Sequence, residues 1–138
     1  MTGSRTFVDT NVLVYAVDRQ AGAKRARALT LLIELGASIV ISTQVIQEFF
    51  VTATRKLAQP LALDEAERRV GELARIDVVV LDLPLIRNAI SLSREHTLSF
   101  WDALIVQSAH VRGCARLLTE DMQHGREFGR LRVENPFL

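Results

Sequence analysis

The sequence has one cysteine, Cys114, so it can form no internal disulfide, and a reducing cytoplasm is its expected setting. No uninterrupted apolar run is long enough to span a bilayer. The first residues, MTGSRTFVDTN, lack the apolar core of a signal peptide, so no membrane association is expected. There is no internal repeat, no low-complexity stretch and no linker. Charge of one sign is also lacking: the formal net charge is +1, so no strong basic field points to nucleic acid. Lysine is scarce, with 2 Lys against 15 Arg. Arginine suits bidentate phosphate contacts, but a compositional bias of the source explains the skew as well, so charge does not decide the substrate. What is present is a chain 49% hydrophobic and 24% charged, which excludes disorder and fits one domain over residues 1–138.

Short apolar runs alternate with helix-like segments. Thr6–Val8 opens a run that breaks at Asp9-Thr10-Asn11 and resumes at Val12–Ala16. Ala23–Leu35 has a helix period ended by Gly36. Ser38–Ile41 is a short β-branched strand, after which Thr43 is placed to cap a helix with Ile46, Phe50, Ala53 and Leu57 on one stripe. Asp64 and Glu67 read as a capping box. Asp77–Leu81 is the clearest buried strand, and Asp82 with Pro84 starts a helix from Leu85 to about His96. Another helix starts at Ser99–Asp102 and stops at Gly113; Arg116–Leu118 and Leu131–Val133 complete the strands. The alternation predicts an α/β fold with a parallel sheet.

Four acids occupy element ends in this scheme. Asp9 and Asp121 directly follow strands, Glu48 lies in the first two turns of the helix after Ser38–Ile41, and Asp102 lies in the first turn of its helix. In an open parallel sheet, ligands bind beyond the carboxyl ends of the strands, near the point where strand order reverses. Asp102 reaches that edge if the helix before Arg116 runs antiparallel to the strands, with the helix from Leu85 lying crosswise or covering the outside. Carboxylates gathered there repel one another unless a cation sits between them. Oxygen-only ligands suit Mg²⁺ or Mn²⁺, which points to metal-assisted phosphoryl chemistry.

Each acid also has a plainer reading. Asp102 behind Ser99 is the acidic half of a capping box, Asp121 a turn residue, and Glu48 a solvated position off the apolar stripe. Asp9 is the hardest to dismiss, because a charge between two apolar runs is partly buried and costly without a partner. Glu120 is a weaker candidate, expected on the opposite face from Asp121. His124, Arg126, Arg130 and Arg132 have a solvated loop as their default, with phosphate contacts as the alternative. No Ser-His-Asp or Cys-His arrangement is present.

The strings FVDTNVLVY, ISTQVIQEFF, SFWDALIV and LLTED, in that order from Phe7 to Phe137, resemble PIN-domain nucleases, in particular the VapC-like toxins of type II toxin–antitoxin modules. The resemblance implies a three-layer α/β/α fold with a parallel sheet of about five short strands. It implies a Mg²⁺- or Mn²⁺-dependent endoribonuclease whose metal ligands and catalytic acids are Asp9, Glu48, Asp102 and Asp121. Thr10, Asn11, Thr43 and Thr119 become candidates for orienting carboxylates or a water. Trp101 stands where an aromatic, often Tyr, is common. Met122-Gln123-His124-Gly125 departs from the further acid and Phe residues of many relatives, which makes the role of Asp121 the least secure. The resemblance also implies an RNA substrate, a cognate antitoxin and a homodimer. A housekeeping PIN-type RNA or DNA nuclease without an antitoxin is the nearest alternative. A receiver-type phospho-acceptor domain lacks support, since Asp9 has no acidic neighbour and no Lys follows the last strand; a dead binding module is disfavoured by four intact acids.

Overall fold

The computed structural model describes residues 4–138. Its strands are β1 (Thr6–Val8), β2 (Ile39–Ser42), β3 (Asp77–Val79), β4 (Arg116–Leu118), β5 (Glu127–Phe128) and β6 (Leu131–Glu134). Its helices are α1 (Thr10–Val17), α2 (Ala23–Leu35), α3 (Thr43–Arg55), α4 (Leu63–Leu73), α5 (Leu83–His96) and α6 (Phe100–Val111). The sheet order is β3-β2-β1-β4-β6-β5, parallel except for the antiparallel β5–β6 pair. From β1 the chain steps outward through β2 to β3, then crosses back to β4. The reversal therefore lies between β1 and β4, which pair in register from Thr6↔Arg116 to Val8↔Leu118. Right-handed crossovers in opposite directions put helices on opposite faces. Accordingly α1 packs with α2 and α3, and α3 with α4, while α5 and α6 form a separate pair.

Burial explains which residues make which element. Phe7, Val8, Val40, Ile41, Leu117 and Leu118 are fully buried in the central strands, so these read as apolar runs without alternation. Val12, Leu13, Val14 and Ala16 bury α1 against the core, which resolves the second apolar run as a helix starting straight after Asp9. In α3 the core face is Val45, Phe49 and Ala53; Ile46 and Phe50 pack at its margin, so the expected stripe is rotated by about one residue. α3 is covered by both α1 and α4, and its apolar arc is correspondingly wide.

Several expectations are corrected. Asp77–Leu81 is not the fully buried strand expected: β3 has three residues, forms an edge, and leaves Val80 65% exposed. A tight turn, with Asp82 N–H donating to Val80 O at 3.0 Å, ends it at once. α3 is capped by Ser42, whose hydroxyl accepts from Val45 N–H, and not by Thr43. α4 starts at Leu63 without a side-chain cap; Asp64 accepts from Glu65 N–H inside the first turn, so there is no capping box with Glu67. The sheet has six strands instead of about five, because Glu127–Phe128 turns through Gly129 (φ 61°) to pair with β6. Two residues carry no periodicity to read.

The placement of α6 settles how Asp102 reaches the carboxyl edge. Its first turn lies beside α3, with Trp101 O accepting from Gln44 Nε2. Its other end lies at the amino end of β3, where Arg112 Nε donates to Asp77 at 3.0 Å. α6 thus runs antiparallel to the strands. α5 begins beside Val111 and Arg112 and packs back along α6.

Candidate active site

Asp9 is the fixed point of the site. It is 5% exposed, immediately follows β1, and its own N–H donates to Leu118 O at 3.0 Å, so it sits at the point where strand order reverses. Its Oδ1 accepts from Thr10 N–H at 2.7 Å and its Oδ2 from the Thr119 hydroxyl at 2.8 Å. Burial pushes the Asp9 carboxyl up to about 6, and the Asp121 and Glu48 charges add to the shift, against the opposing pull of those two hydrogen bonds.

The other three acids converge from separate elements. Glu48, on α3, accepts from the Thr10 hydroxyl at 2.8 Å and from Gln44 Nε2 at 3.3 Å. Asp121, beyond β4, accepts from Asn11 Nδ2 at 3.1 Å, and its N–H donates to the Thr119 hydroxyl at 3.1 Å. Asp102, half-buried in the first turn of α6, donates its N–H to the Ser99 hydroxyl at 3.1 Å. Its carboxyl is also raised, by burial first and then by the Asp121 and Glu48 charges, with Ser99 opposing. The four carboxylates therefore act on one another electrostatically, and a cation faces none of them among the described ion pairs.

Three of the four candidate orienting residues join this network. Thr10 links Glu48 to α1, Thr119 links Asp9, Asn11 and Asp121, and Asn11 holds Asp121. Thr43 does not; its hydroxyl accepts from Leu81 N–H and fastens the connection after β3. Gln44 was not singled out in the sequence. It is buried, and one Nε2 group bridges Glu48 and Trp101 O, tying α3 to α6 across the site. A polar residue in the first turn of an apolar helix was its only signal. Glu120 engages Tyr15 and Lys24, the first on the same helix whose Asn11 holds Asp121.

The loop cations His124 and Arg126 have partners other than the acids. His124 Nδ1 accepts from Asn135 N–H, and Arg126 donates to His96 O and stacks over Phe128. Arg132 pairs opposite Arg116, at the amino end of the sheet and away from the acids. Cys114 is buried and its thiol is pushed up to about 11, which makes it unreactive.

The donor set fits a hard divalent cation. All the carboxylates are oxygen donors, and Asn11 Oδ1, buried at their side, has no hydrogen-bond partner. Among the described residues no three acidic, histidine or cysteine side chains already close on one point. Asp9 is buried, whereas Glu48 and Asp121 are exposed and each is held by hydrogen bonds from neighbouring side chains. Next to the acids a cleft of about 600 Å³ runs between α1 and α3, walled by Val14, Val51 and Leu57 and reaching Glu48 and Asp121.

Known structures share this architecture. A toxin–antitoxin complex from Klebsiella pneumoniae aligns with 20% identity over 95% of this chain and 97% of its own, with a TM-score of 0.73. DNA-bound VapBC from Salmonella typhimurium aligns with 18% identity over 97% and 99%, with a TM-score of 0.68. Mycobacterium tuberculosis VapC20, a sarcin-ricin loop cleaving toxin, aligns with 18% identity over 81% and 86%, with a TM-score of 0.67. Among curated proteins none matches the chain by sequence. The PIN domain model matches residues 6–127, spanning β1, the four acids and β4, and the chain belongs to the PIN domain family.

Proposed function

We propose that residues 1–138 act as one PIN domain, a Mg²⁺- or Mn²⁺-dependent endoribonuclease that serves as the toxin of a toxin–antitoxin module in the cytoplasm. The observation that carries this reading is the buried Asp9 at the strand-order reversal, with three further carboxylates around it and, among the described residues, no ion pair to any of the four. Asp9, Glu48, Asp102 and Asp121 would hold the cation. When bound, it supplies Lewis-acid stabilisation of charge on the phosphate and lowers the pKa of a water.

The chain's own residues provide orientation. Thr119 and the Thr10 N–H fix both Asp9 oxygens, so the carboxylate cannot rotate. Thr10 and Gln44 aim Glu48, and Asn11 aims Asp121. Such supporting hydrogen bonds set ligand geometry and basicity. That a protein of the same fold is a sarcin-ricin loop cleaving toxin supports the choice of substrate. An antitoxin partner is supported by the toxin–antitoxin complexes of this fold and by the apolar cleft between α1 and α3. Pairing of two copies belongs to the same proposal.

The test is cleavage of a mixed RNA pool by purified protein with Mg²⁺, Mn²⁺ or EDTA, beside Asp9→Asn. A metal contributes several kcal/mol of charge stabilisation, and each 1.36 kcal/mol is tenfold, so the variant should lose on the order of 10³-fold. Equal cutting by both chains, or cutting in EDTA, would overturn the proposal. Co-purification with the product of an adjacent small gene tests the partner.

A further inference from the structure

We propose that Trp101 is a stacking platform for an unpaired base of a single-stranded RNA substrate, an inference that rests on the ribonuclease reading above. Trp101 is the chain's one tryptophan and is 64% exposed, although it adjoins Asp102. A large apolar ring in water beside a set of carboxylates has no packing role to explain it. Its position is nevertheless rigid. The backbone O is held by Gln44 Nε2, the same group that holds Glu48, so the ring's base is tied to two of the acids' elements. The edge-on Phe100 ring, 5.3 Å away at 65°, supports it without covering it as a parallel stack would.

Geometry favours a flanking base over the reacting group. Successive helix positions point about 100° apart at 3.6 residues per turn, so Trp101 projects beside the Asp102 carboxylate instead of over it. A strand whose phosphate lies among the acids would therefore bring a neighbouring base, and not the phosphate, to the indole. Only an unstacked base has a free face to offer, which selects single-stranded regions, loops or bulges. Every base has such a face, so the contact adds affinity with little sequence preference.

Because Trp101 is the sole tryptophan, its fluorescence reports the contact directly. The cleavage-silenced Asp9→Asn chain, titrated with single-stranded oligoribonucleotides, should show saturable quenching, and a duplex of the same sequence should quench less. In an otherwise wild-type chain, Trp101→Ala should raise KM about 5- to 150-fold with kcat little changed. Trp101→Tyr, which keeps a ring, should recover most of that loss. Circular dichroism checks the fold of both variants. If wild-type chain cuts RNA while quenching is absent and Trp101→Ala keeps its KM, the stacking role is wrong, the nuclease reading stands, and the ring is left as a protein contact. If no RNA is cut yet single strands quench Trp101, the nuclease reading fails and the stacking role survives. Neither cutting nor quenching overturns both.

Discussion

Asp9 and Asp77 stand at opposite ends of the same sheet, and their surroundings differ in kind. Asp77 opens β3 at the amino end and is paired with Arg112 at 3.0 Å and with Arg5. Asp9 follows β1 at the carboxyl end, is more deeply buried, and meets a hydroxyl, an N–H and the charges of other acids. Glu120 repeats the contrast within one turn: it is paired with Lys24, whereas the adjacent Asp121 faces the acids. At Asp77 and Glu120 the chain supplies a cation from its own sequence. At the reversal of strand order no described ion pair faces the acids, and holding a buried carboxylate near three others without a cation is unfavourable enough to suggest a functional reason.

The sharpest way to break the comparison is to loosen the Asp9 side of it. Thr119→Val removes the hydroxyl that contacts Asp9, Asn11 and Asp121 while keeping the side chain's shape. Loss of such an orienting group should lower kcat/KM about 10- to 100-fold at fixed Mg²⁺, with weaker metal affinity. Cleavage kinetics across a Mg²⁺ titration would show it; full activity at all metal concentrations would mean that Asp9 needs no fixing.

A second effect lies in stability. The folded Asp9 carboxyl titrates at about 6, against an ordinary 3.8, so between those values the folded chain keeps a proton that the unfolded chain has released. Metal-free stability contributed by this group is therefore present at low pH and lost as pH rises from about 4 to 6. Asp9→Asn, which cannot ionise, should become the more stable metal-free chain above pH 6, by up to about 3 kcal/mol. Urea unfolding of both chains in EDTA from pH 4 to 8 measures the difference. A difference independent of pH would remove the unpaired-charge account. At the other end of the sheet the effect should be smaller. Arg112→Ala, which leaves Asp77 with Arg5, should cost about 1 kcal/mol, since both Arg112 and Asp77 are a third exposed. Its cleavage rate per folded molecule should match wild type, measured beside a melting curve.

Much of this was legible in the residues, and the reasons are local. Asp9 between two apolar runs signalled a buried charge, and Ser99 ahead of Asp102 gave the start of α6. The α/β alternation gave the sheet and the edge on which the acids meet. What escaped depends on contacts distant in sequence. Gln44 acquires its role only from Trp101, 57 residues away. Thr43 looked like a cap, but Ser42 one residue earlier had the extended backbone that a cap needs. The valines of β3 promised a buried strand, yet position at the edge is set by the order of strands, which no local pattern encodes.

The central claim, that these four acids form a site for a divalent cation, is tested most directly by calorimetric titration of metal-free protein with Mn²⁺ at pH 7.5, beside Asp9→Asn. The account predicts saturable binding to the wild-type chain and binding at least tenfold weaker in the variant. Equal binding by the two chains, or none by the folded wild type, would contradict it.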